Sequence, residues 1–91
     1  MNEKEFSIYL QNDKNKLTEK GIKSRITKAK KAEIILSKDL DFIVKSDKLM
    51  INALNHLQEF EDRKHNPMQN ALRKYYKFIN GKEFPRKKEF E

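Results

Sequence analysis

Apolar residues recur along this chain at helical spacing, not at the alternating spacing of a strand. Phe6, Tyr9 and Leu10 share one stripe, and Ile8 lies off it. Asn2, with Glu5 three residues on, has the spacing of a capping box, so a first helix is predicted from about Glu3 to Lys14. Asn12, Asp13 and Asn15 then interrupt the pattern. A second helix is predicted over Glu19 to Leu36, with Thr18 as its N-cap. At about 100° per residue, Ile22, Ile26, Ala29 and Leu36 fall on one face, with Glu33 at its edge. Lys20, Ser24, Thr27, Lys28 and Lys31 lie opposite, and Lys23 and Lys30 flank them. Ile34 and Ile35 point away from the main stripe, which predicts a second neighbour for that end.

Between Ser37 and Lys45 the apolar run Leu40 to Val44 is too short for periodicity to distinguish a helical turn from a brief strand. Ser46 caps a third long segment, and Asp47 suits the positive end of its dipole. Leu49, Met50, Ala53, Leu54, Leu57 and Phe60 give this helix a broad apolar face. The last helix has the clearest limits: Asn66-Pro67 to open it and Asn80-Gly81 to close it. Met68, Ala71, Leu72, Tyr75, Phe78 and Ile79 form its inner side, and Asn70, Arg73, Lys74 and Lys77 its outer side. Tyr76 falls at the margin. The expected fold is therefore all-α, a small four-helix bundle over residues 1–81. Its core would comprise Phe6, Leu10, Ile22, Ile26, Leu49, Leu54, Leu57, Leu72, Tyr75 and Phe78, and residues 82–91 would form a mobile basic tail.

Composition narrows the chemistry. The 91 residues suffice for one small domain, and the absence of cysteine removes disulfides, thiolate metal sites and a cysteine nucleophile. Only two Gly and two Pro occur, which favours helices. High charge and a mean hydropathy of -0.99 would suit disorder, but the periodicity argues against it over most of the length. No apolar run reaches the ~18 residues of a membrane span. The opening Met-Asn-Glu-Lys-Glu-Phe lacks the apolar region of a secretory signal, so a cytoplasmic location without membrane contact is expected.

Charge is segregated. Residues 14–31 contain Lys14, Lys16, Lys20, Lys23, Arg25, Lys28, Lys30 and Lys31 against Glu19 alone, whereas residues 32–62 are net acidic and residues 63–91 basic again. The whole chain carries a formal charge of +7. A lysine run on one helix is by itself only a solvated face. Two basic helices separated by an acidic region suggest instead a positive surface that attracts phosphate backbones. Ser24, Thr27, Gln69 and Asn70 lie among the bases and suit phosphates or base edges. Candidate catalytic groups are sparse. His56 and His65 stand nine apart without a third ligand, and there is no glycine-rich phosphate loop or nucleophile elbow. Tyr75-Tyr76 suggests base stacking or a tyrosine nucleophile, although Tyr75 belongs to the apolar stripe. No enzyme activity, cofactor, metal or small-molecule substrate is expected.

Three stretches carry a family resemblance. They are Phe6-Ser7-Ile8-Tyr9-Leu10, then Leu17-Thr18 with Ile22-Lys23-Ser24-Arg25-Ile26, and Ala71-Leu72-Arg73-Lys74-Tyr75-Tyr76-Lys77-Phe78-Ile79. Over about residues 5–81 the chain resembles the N-terminal core-binding domain of tyrosine recombinases and phage integrases, a sterile-alpha-motif-like bundle. The resemblance implies a role in DNA recombination or a mobile element, with duplex DNA gripped by the second and last helices. Carried over by position, the contacts would be Lys20, Lys23, Ser24, Thr27, Lys28 and Lys31, then Asn70, Arg73, Lys74 and Lys77. The basic tail would add Arg86 and Lys87. The catalytic domain of that family, with its Arg, His and Tyr, does not follow here, so the chain is either a fragment of a recombinase or a free-standing relative. Pro85 before Arg86-Lys87-Lys88 suits an interdomain linker. The alternative is a helical interaction module whose basic surface docks an acidic protein, with Ile34, Ile35 and Tyr76 adding apolar contacts.

Overall fold

Four of the five helices open on a side chain that closes the first turn. The computed structural model describes residues 1–13 and 17–85. α1 (Glu3–Gln11) begins at Asn2, whose Oδ1 accepts the Glu5 N–H at 3.3 Å. α2 (Glu19–Leu36) begins at Thr18, whose hydroxyl accepts the Gly21 N–H at 3.0 Å. The ambiguous run becomes a single helical turn, α3 (Leu40–Ile43), capped by Asp39. α4 (Asp47–Gln58) starts at Ser46, which accepts the Leu49 N–H at 3.3 Å. α5 (Pro67–Asn80) has Pro at its first position and closes on Gly81 at φ 75°, a left-handed conformation that favours glycine. The described residues are thus all-helical, with five helices where four were expected.

The start of α5 differs from expectation. Asn66 makes no side-chain cap bond and instead donates its amide to the Arg63 carbonyl at 3.2 Å. The cap comes from Glu61, whose carboxylate accepts the N–H groups of Met68 at 2.6 Å and Gln69 at 3.0 Å. A carboxylate at this end meets both unpaired N–H groups and the positive end of the helix dipole.

α2 and α5 form the most extensive helix pair; α1 and α4 each touch both, and α3 fits against α4 and α5. Small Ala29 and Ala32 are fully buried on α2 and let its neighbours approach. Seven of the expected core residues are buried: Phe6, Leu10, Ile22, Leu54, Leu57, Leu72 and Tyr75; Ile26, Leu49 and Phe78 are half-buried against them. The Phe6 ring meets Tyr75 edge-on at 4.9 Å and Phe78 at 5.6 Å, geometries that add to the burial of their area. Glu33, expected at the edge of the α2 stripe, accepts the Leu40 N–H and the Met1 amino group, each at 2.9 Å.

Five apolar residues depart from expectation. Ile34, expected to meet a second neighbour, is 77% exposed, and Ile79, expected on the inner side of α5, is 45% exposed. Phe60 is 59% exposed because α4 ends at Gln58 and its periodicity ends with it. Tyr76, expected at the margin, is buried and donates to Asp47 at 3.2 Å. Phe84, assigned to the tail, is also buried and stands edge-on to Tyr76 at 5.0 Å. Through Phe84 the chain just beyond Gly81 therefore packs against α5.

Candidate nucleic-acid interface

Thr18 and the face occupied by Ile22, Ala29 and Ala32 set the rotation of α2, and this rotation turns Lys20, Lys23, Ser24, Thr27 and Lys31 outward. Lys28 lies half-buried beside them. Lys30, on the flank, is held by Glu3 at 2.9 Å. On α5, Asn70 is exposed, whereas Arg73, Lys74 and Lys77 are half-buried. Arg86 and Lys87 lie outside the described residues.

The α5 cations are committed to internal partners to different degrees. Lys74 pairs with Asp13 where both side chains are largely covered, 15% and 10% exposed, and its ammonium lies 5.9 Å from the centre of the Tyr9 ring. Arg73 donates to the carbonyls of Phe84 at 3.2 Å and Pro85 at 3.4 Å, with its guanidinium over the Phe84 ring. It therefore fastens the segment after the helix. Among the described residues Lys77 makes one loose pair, 3.8 Å from the exposed Glu83.

Between α2 and α5 lies a cleft of about 180 Å³ lined by Arg25, Asn70, Arg73, Lys74 and Lys77, with Glu83 and Phe84 at one side. The two basic segments thus share a wall, although the acidic residues 32–62 separate them in the chain. Arg25 is the contribution from α2. It is half-buried and has no hydrogen-bond or ion-pair partner among the described residues. It was not among the predicted contacts, yet its spacing from Ile22, Ala29 and Ala32 places it on the packed face of α2. That spacing is the signal that could have found it.

The arrangement offers donors and positive charge. Tyr75 and Tyr76 carry neutral phenols at ordinary pH. Burial, then the hydrogen bond to Asp41, pushes the Tyr75 hydroxyl above its usual value of 10.0, and burial with Asp47 does the same for Tyr76. His56 is exposed, 3.6 Å from Glu59 and edge-on to Phe60, and His65 is exposed in the loop before α5. Among the described residues no group of three His, Asp or Glu could hold a metal ion, and no helix is long and apolar enough to cross a membrane. No family model, curated protein or solved structure matches the chain, so a functional reading rests on its own residues.

Proposed function

We propose that the chain is a non-catalytic module that binds duplex DNA through the outer faces of α2 and α5. It resembles the sterile-alpha-motif-like core-binding domain of a phage-type integrase and acts in the cytoplasm. The observation that carries this reading is the packing of α2 on α5, which joins two basic segments that lie far apart in the chain. Lys20, Lys23, Lys28 and Lys31 neutralise phosphates from α2, while Ser24, Thr27 and Asn70 supply hydrogen-bond donors. Lys77 extends the surface onto α5, and Arg86 and Lys87 contribute further charge. Arg73 and Lys74 act mainly by holding Phe84 and Asp13 in place.

Fluorescence anisotropy of a labelled short duplex, measured over a range of salt, tests the reading. Log K should fall linearly with log salt, and replacing Lys20, Lys23, Lys28 and Lys31 by Ala should reduce the slope by ~0.9 for each true phosphate contact. Reversing charge at Arg86 and Lys87 should weaken binding without altering sequence preference. Absence of binding by the wild-type chain at low salt would defeat the reading. An acidic protein partner would then replace DNA, with Ile34, which is 77% exposed, as an apolar contact.

A further inference from the structure

We infer that the cleft between α2 and α5 is a discrete phosphate site, with Arg25 as its central ligand and Lys77 and Asn70 as supporting donors. The inference deepens the DNA-binding reading and rests on it only for the source of the phosphate. Three observations converge. Arg25 lies on the packed face of α2, half-buried and without a hydrogen-bond or ion-pair partner among the described residues. A half-buried guanidinium that no carboxylate neutralises keeps its donors for an anion that enters the cleft. The cleft, at about 180 Å³, is many times larger than a single water needs and admits a tetrahedral oxyanion.

The third observation is the loose carboxylate at the rim. Glu83 stands 3.8 Å from Lys77 with its side chain 81% exposed, so the contact is weak and easily displaced. Its neighbour Phe84 is anchored beneath Arg73, which fixes where Glu83 can reach. Glu83 therefore competes with an incoming anion for Lys77. Phosphate fits better than a second carboxylate, because donors from both helices approach from different directions and a planar fork binds two phosphate oxygens at once. The phosphate comes either from the duplex backbone or from a free phosphorylated ligand.

Two probes separate these sources: sodium pyrophosphate, followed by NMR of the ¹⁵N-labelled chain, and a short DNA duplex, followed by anisotropy. Pyrophosphate should saturably shift the Arg25 Nε–Hε signal and those of Asn70. Arg25→Gln should weaken both probes by tenfold or more, a charge-assisted hydrogen bond's worth at roughly ten- to a hundred-fold. Lys48→Gln, an equal loss of charge at an exposed position of α4, should change either probe by less than about threefold. Glu83→Gln should strengthen binding by about two-fold as the competitor loses its charge. Circular dichroism melts establish that each variant folds. If Arg25→Gln fails to fold, Arg25→Lys and the wild-type NMR shifts decide in its place. A duplex that binds wild type and Arg25→Gln alike defeats the cleft site and leaves the DNA reading intact. Saturable pyrophosphate binding without duplex binding supports the cleft as a site for a free ligand and defeats the DNA reading. Unsaturable shifts spread over the surface lysines overturn the inference outright.

Discussion

The Tyr75 hydroxyl donates to the carboxylate of Asp41 and accepts the backbone N–H of Asn2 at 2.8 Å. One side chain of α5 thus ties the beginning of α1 to α3. Tyr75→Phe leaves the ring in place and removes both bonds, so it should cost about 1–3 kcal/mol in urea unfolding. The pH dependence follows from the raised Tyr75 value. Below the ordinary value of 10.0 the phenol is neutral in both states and the contribution is complete. Above it the unfolded chain ionises while the folded one resists, so the contribution falls as pH rises. The stability gap between wild type and Tyr75→Phe should be constant from pH 7 to 9 and narrow above pH 10.

Glu61 should matter to α5 and Asn66 should not. Glu61→Ala removes the acceptor of two helix N–H groups and should lower stability by about 1–2 kcal/mol. Asn66→Ala removes only an exposed bond to the Arg63 carbonyl and should change stability by less than about 0.5 kcal/mol. Thermal melts of the two variants make the comparison directly.

Lys74 and Lys31 should separate folding from binding. Lys74→Ala takes an ammonium away from the covered carboxylate of Asp13 and should destabilise by on the order of 3 kcal/mol. Lys31→Ala alters an exposed side chain and should stay within about 0.5 kcal/mol. Chemical denaturation of both variants checks this, and any loss of DNA binding by Lys74→Ala should track the unfolded fraction.

Phe84 should behave as core. Phe84→Ala removes a buried ring packed on Tyr76 and should cost about 3 kcal/mol. Cutting the chain after Gly81 should cost at least as much, because Arg73 then also loses the Phe84 and Pro85 carbonyls. Differential scanning calorimetry of the truncated chain is the measurement.

What the sequence discloses here is mostly local. Thr18, Ser46 and the Pro67–Gly81 interval mark helix limits because each cap acts within a few residues of itself. The same reasoning fails for Glu61, which reaches a helix that starts six residues later by way of an intervening loop. Ser37 closes α2 at φ 54° without the glycine that usually signals such an end. Burial at the edge of a stripe is settled by neighbours from elsewhere in the chain, so Tyr76 went in, Phe60 stayed out and Phe84 folded back. Among the candidate contacts, the exposed lysines of α2 were readable from its periodicity. Arg73 and Lys74 looked equally available, but the groups that hold them, beyond the helix stop and at the end of α1, leave no pattern on α5 itself.

The link between Asn2 and Tyr75 spans 73 residues of chain. At a synthesis rate of about 5–20 residues per second, roughly 4–15 s separate the emergence of α1 from that of the helix that covers it. Throughout that interval the ring of Phe6 has neither Tyr75 nor Phe78 to pack against, and the apolar face of α4 lacks part of its cover. For that interval the nascent chain exposes apolar surface of the kind that chaperones bind. A ribosome that stalls before Tyr75 displays an aromatic stripe that the finished protein hides.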